Sequence, residues 1–68
     1  MHMQILLNGE SRRYEHPLTV AELLVSMALT GKRVAVELNG EIAPRSQHGS
    51  TILSEGDKVE IVQAIGGG

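Results

Sequence analysis

The 68-residue chain carries six Lys or Arg against eight Asp or Glu, a formal net charge of −2, with 41% apolar residues and no cysteine. That length allows one small domain, whose folding buries about 60% of the unfolded surface, and the missing cysteines exclude disulfides and thiolate metal sites. With Tyr14 as its single aromatic residue and no run of Lys or Arg, the chain lacks both the stacking platforms and the phosphate-binding stripe of a nucleic-acid binder.

Met3 to Leu7, preceded by Met1 and His2, is a short apolar run, and Asn8-Gly9 supplies the positive-φ residues of a two-residue hairpin turn. Glu10 to Glu15 is polar, reads as an exposed partner strand and is closed by Pro17. Thr19-Val20-Ala21-Glu22 has the capping-box pattern, in which a threonine hydroxyl and a glutamate carboxylate satisfy free amides at a helix start. Val20, Leu23, Leu24 and Met27 recur at helical spacing with Gly31 as the expected left-handed stop, which predicts a helix of about ten residues.

Arg33 to Leu38 alternates, with Val34, Val36 and Leu38 on one face and Arg33, Ala35 and Glu37 on the other. Asn39-Gly40 is a second turn of the hairpin kind, and Pro44 keeps Ile42 to Ser50 out of a central strand. Thr51 to Leu53 is a candidate short strand, Glu55-Gly56-Asp57 a turn, and Lys58 to Ile65 the last strand. Strand, strand, helix, strand, short strand, strand describes an α+β domain over residues 1–65, a mixed sheet of four to five strands packed on one helix. Residues 66–68 follow as a flexible glycine tail.

If Ile5, Leu7, Val59 and Ile61 face the helix, then Leu6 and Val62 point outward, and Ala35 joins them provided the three strands are neighbours. An exposed aliphatic patch of that kind suits the docking of another protein. No apolar stretch reaches signal-peptide or membrane-spanning length, so a soluble cytoplasmic protein that binds no membrane is expected.

Conventional catalytic candidates fall away. His2, His16 and His48 have neither ligand-like spacing nor clustered acidic neighbours and read as ordinary surface histidines, leaving no metal site. Ser46-Gln47-His48 lacks the glycines of a nucleophile elbow, and Glu55 and Asp57 are accounted for by the turn around Gly56. Neither Gly9 nor the final glycines form a phosphate loop, since no Lys-Ser/Thr accompanies them.

What remains is Gly66-Gly67-Gly68. A carboxylate is inert in acyl transfer until it is converted to a mixed anhydride such as an acyl-adenylate. Three extended residues reach roughly 10 Å, and without Cβ atoms they enter a channel that any other residue would block. The α-carboxylate of Gly68 is therefore the expected reacting group, delivered on Gly66 and Gly67 into another protein's site. On composition alone, a frayed terminus is the plain alternative.

Across its whole length the chain resembles the β-grasp fold of ubiquitin and the bacterial sulfur carriers: strand, Asn-Gly, strand, helix, strand, strand, then a closing Gly-Gly. Two segments are more specific. "NGEIAPRSQH", Asn39 to His48, and "LSEGDKVEIVQAIGGG", Leu53 to Gly68, resemble the sulfur carriers of thiamine biosynthesis, the ThiS family. Molybdopterin carriers tend to have a Pro-Pro pair shortly before their Gly-Gly, where Gln63-Ala64-Ile65 stands here.

The resemblance implies a carrier rather than an enzyme, with no bound cofactor. Gly68 is adenylated with ATP by a ThiF-type activating enzyme, and a persulfide sulfur from a cysteine desulfurase replaces AMP. Gly68 thereby becomes a 1-thioglycine thiocarboxylate that donates its sulfur to thiazole synthase (ThiG-type). The same resemblance makes Leu6, Val62, Ala64 and Ile65 the partner-docking residues, with Ala35 held more loosely. Sulfur transfer in molybdopterin or amino-acid synthesis, or ubiquitin-like modification of lysines, would use the same tail.

Overall fold

Two hairpins, each turned by Asn-Gly, frame one short helix. The computed structural model describes residues 2–63, with β1 (Met3–Leu7), β2 (Glu10–Tyr14), α1 (Val20–Ser26), β3 (Val34–Leu38), β4 (Glu41–Ile42) and β5 (Lys58–Gln63) in chain order. A turn of 3₁₀ helix, Arg45–Gln47, lies between β4 and β5. The five strands form one sheet in the order β2-β1-β5-β3-β4. The central pair, β1 and β5, is parallel through Leu6↔Lys58 and Leu7↔Val59, and the other pairs are antiparallel. Both turns carry positive φ at their two central residues, 48° and 83° at Asn8-Gly9 and 53° and 87° at Asn39-Gly40. Few residues other than Asn and Gly accept that geometry.

The core follows from the period of each element. Met3, Ile5 and Leu7 are buried on one side of β1, and Val20, Leu23 and Leu24 meet them from the helix. Val36, Ala43, Leu53 and Val59 complete the cluster, with Ile61 packed at its margin. The edges are protected: β2 is polar, and β4 is only two residues long. Polar or very short edge strands discourage pairing with other chains.

The predicted capping box is present, with Glu22 N donating to Thr19 Oγ1 at 3.1 Å and Thr19 N to Glu22 Oε1 at 2.8 Å. The helix is shorter than predicted, seven residues, and Gly31 is not what stops it. Ala28 takes the left-handed position instead, at φ 60°. Leu29 N bonds to Leu24 O at 2.9 Å and Ala28 N to Val25 O at 3.0 Å, the bond pattern of a Schellman cap. Leu29 packs on the core through this reversal, and that tertiary contact outweighs the preference of the left-handed position for glycine.

Two further expectations change. The short strand is Glu41–Ile42, folded back on β3 by the Asn39-Gly40 turn, while the Thr51 to Leu53 segment makes only an isolated bridge, Thr19↔Ile52. Its backbone instead ties to the helix entry, Val20 N to Thr51 O and Leu53 N to Leu18 O, as Leu53 inserts into the core. His48 is not a surface histidine: its residue is 7% exposed, and Nε2 donates to the Ala43 carbonyl at 2.9 Å. The last strand is described as far as Gln63, so the expected docking residues Ala64 and Ile65, and Gly66 to Gly68, lie outside the described residues.

Candidate functional site

Strand alternation leaves one face of the sheet uncovered by the helix. Leu6 (40% exposed) and Val62 (61%) stand on it, together with exposed Ala35. Their strands are neighbours in the order β1-β5-β3, but the register separates the three residues into two places. Ala35 is directly opposite Val62, whereas Leu6 is opposite Lys58 at the start of β5. Lys58 and Val62 are four positions apart along β5, about 13 Å at ~3.3 Å per residue. Between them stands Glu60, cross-strand from Glu37 and 3.8 Å from the Lys58 ammonium. Leu6 therefore does not share an apolar patch with Val62 and Ala35.

Around Ala35 and Val62 the surface dips into a shallow cavity of about 330 Å³ lined by Arg33, Val34, Ala35, Arg45 and Val62. Neither arginine was singled out as a site residue from the sequence. Arg33 was nevertheless legible, because it continues the outward parity of Ala35 and Glu37. Arg45 comes to the same place through its own segment. Ala43 N bonds to Val36 O at 2.8 Å, fixing the segment to β3, and Pro44 O accepts from Gln47 N at 2.9 Å to close the 3₁₀ turn. The buried His48 ring then holds the Ala43 carbonyl from the other end of that turn.

The strand leading to this cavity is pinned at its start and at Ile61 by asparagine side chains. Asn39 Oδ1 accepts from Lys58 N at 2.9 Å and Asn39 Nδ2 donates to Asp57 Oδ1 at 3.0 Å. Asn8, just past the end of β1, accepts from Ile61 N at 2.7 Å and donates to Ile61 O at 3.3 Å. Its side chain thus extends the sheet where the backbone of β1 turns away. Among the described residues there is no group of three His, Cys, Asp or Glu able to hold a metal, and no buried side-chain polar atom lacks a partner. Nor is any helix of the described residues long and apolar enough to cross a membrane.

Comparison with known proteins bears on this arrangement. A sequence model of the ThiS family matches residues 5–68. A thiazole synthase of Paramagnetospirillum magneticum is 42% identical over 66 residues, covering 97% of this chain and 20% of that protein. One from Magnetococcus marinus is 39% identical with the same coverage, so the chain spans about a fifth of the length of these two relatives. The sulfur carrier protein ThiS of Escherichia coli is 35% identical over 66 residues, 97% of this chain and 100% of that one. A crystal structure of the thiamine biosynthesis protein ThiS from Geobacter metallireducens has the same architecture, with a TM-score of 0.83 and 35% identity over 97% of this chain and all of the other.

Proposed function

The chain belongs to the ThiS family of ubiquitin-like β-grasp proteins, and from that premise we propose that it is a sulfur carrier of thiamine biosynthesis whose reacting group is the α-carboxylate of Gly68. The observation that carries the reading is the family match itself, which runs through the three glycines to residue 68. The similarity along the full length of a protein named as a sulfur carrier supports it.

The chemistry proceeds as follows. A Gly68 carboxylate oxygen attacks the α-phosphorus of ATP in a ThiF-type activating enzyme, and pyrophosphate leaves. A persulfide, supplied by a cysteine desulfurase, attacks the acyl-adenylate and expels AMP. A thiol then attacks the cysteine sulfur of the resulting acyl disulfide, forming a new disulfide with it and leaving the persulfide's outer sulfur on Gly68 as a thiocarboxylate. Thiazole synthase accepts that sulfur. The protein is the co-substrate of each step and catalyses none. The two thiazole synthases that contain a segment similar to this chain support thiazole synthase as the acceptor.

The chain's own residues serve this chemistry in separable ways. Gly66 and Gly67 present no Cβ to the walls of a narrow active-site channel. The ordering entropy of the tail, about 1–2 kcal/mol per residue, is offset by docking of Val62, Ala64 and Ile65, with Ala35 beside Val62. Because the chain has no cysteine, no internal thiol competes for the acyl-adenylate. A reducing cytoplasm protects the thiocarboxylate from oxidative coupling.

Intact mass tests the reading after incubation with ATP, the activating enzyme, the desulfurase, cysteine and a thiol. The expected product has one oxygen replaced by sulfur at Gly68. Conjugates of higher mass would make it a protein modifier instead, and an unchanged mass would overturn the carrier reading.

A further inference from the structure

Resting on the carrier reading, and on the two thiazole synthases that contain a segment similar to this chain, we infer that the Arg33–Arg45 end of the uncovered sheet face is a charge-polarised docking strip for thiazole synthase. Its counterpart is a surface that sets carboxylates against the two guanidinium groups and an aliphatic side chain against Ala35 and Val62. In a chain of net charge −2, two exposed arginines line the cavity around the exposed Ala35–Val62 pair, with exposed Ile42 farther along the same face beside Glu37. The salt bridges among the described residues are Arg12–Glu10 and Lys58–Glu60, so neither Arg33 nor Arg45 has a carboxylate within this set.

Behind the aliphatic pair the sign reverses. Glu37 and Glu60 sit directly opposite one another, an arrangement that costs stability in a sheet, and a single Lys58 faces them. From the Arg33 end toward Leu6 the strip therefore runs cationic, aliphatic and then net anionic, with Glu37 and Glu60 outnumbering Lys58. Such an order gives a partner one favourable orientation, because rotation by half a turn brings carboxylate against carboxylate. The arginine stems also widen the aliphatic contact while their heads remain in water. Docked this way, a partner grips β5 at Val62, immediately ahead of the residues that carry the proposed thiocarboxylate.

The test measures binding of the whole chain to purified thiazole synthase across a range of salt concentrations. Arg33→Glu with Arg45→Glu is expected to lower affinity by roughly tenfold or more, most steeply at low salt. Arg12→Glu with Arg13→Glu on β2, an equal change in charge three strand spacings from β3, about 14 Å at ~4.8 Å each, is expected to stay within about twofold of wild type at about 0.1 M salt, where the Debye length is about 10 Å. Circular dichroism checks the fold of each variant. If the double reversal fails to fold, Arg33→Gln with Arg45→Gln replaces it, with a smaller loss in the same direction expected.

Sulfur loading is followed in parallel at saturating activating enzyme. A wild type that loads, alongside reversed arginines that bind thiazole synthase as wild type does, overturns the docking strip alone. So does a loss confined to the activating enzyme, or salt-sensitive self-association of the chain in place of synthase binding. A wild type that never loads overturns the carrier reading, and the strip with it.

Discussion

Asn8 clasps the backbone of Ile61 in both directions, Oδ1 accepting from its amide at 2.7 Å and Nδ2 donating to its carbonyl at 3.3 Å. The two residues are 53 positions apart, and the clasp sits one residue ahead of Val62. The same asparagine holds a left-handed turn at φ 48°, so one side chain both closes the first hairpin and steadies the last strand. Asn8→Gly keeps the turn geometry and removes both bonds. It is expected to destabilise the domain by about 1–3 kcal/mol, measured by urea unfolding, and to accelerate hydrogen exchange at the Ile61 amide ahead of the rest of β5.

Ala28 offers the opposite case. Its left-handed φ of 60° is the conformation glycine adopts without penalty, and its side chain is exposed. Ala28→Gly is expected to raise stability by about 0.5–1 kcal/mol, because relief of left-handed strain, about 1–2 kcal/mol, exceeds the entropic cost of a glycine in the unfolded chain. Thermal unfolding that shows a lower midpoint would contradict the role given to the cap.

Register separates two substitutions that strand alternation alone treats alike. Val62→Asp and Leu6→Asp both place a carboxylate at a solvent-facing strand position, so each is expected to cost about 1–2 kcal/mol and leave the domain folded. Val62→Asp also introduces a like charge near Glu60 and removes the aliphatic contact beside Ala35. It is expected to weaken binding to thiazole synthase by a larger factor than Leu6→Asp, as read by calorimetric titration.

His48→Ala tests the buried ring. The substitution removes the donor to the Ala43 carbonyl and opens a void beneath the 3₁₀ turn. A loss of about 1–3 kcal/mol is expected from the unpaired carbonyl, with weaker synthase binding because the Arg45 turn loses its support. Recovery of both by His48→Gln, which retains a donor, would place the effect on the hydrogen bond rather than on ring volume.

Deletion of Gly68 addresses the proposed chemistry itself. No packed residue of the core is touched, so unfolding is expected to match that of the intact chain, while intact mass shows no sulfur gained. Gly67→Val is expected to leave the fold intact and abolish loading by blocking the channel with a branched side chain.

Much of this architecture was written locally. Asn8-Gly9 and Asn39-Gly40 announced the hairpins because positive φ at two successive residues suits almost nothing else. The Thr19–Glu22 box marked the helix start, since both of its bonds close within four residues. Alternation assigned Ile5 and Leu7 inward and Leu6 outward, as their burial shows.

Other features depend on which distant residues come together. Leu6 and Val62 share a face, yet only the parallel pairing of β1 with β5 decides that they stand about 13 Å apart along the strand. The left-handed Ala28 is fixed by where Leu29 must pack, and the buried His48 by the path from β4 back to the helix. Arg33 and Arg45 line one cavity because Ala43 is bonded to β3. Turn, cap and face are encoded within a few neighbouring residues and could be read in order along the chain. Register and convergence arise from contacts spanning up to 53 positions, and no local pattern carries that information.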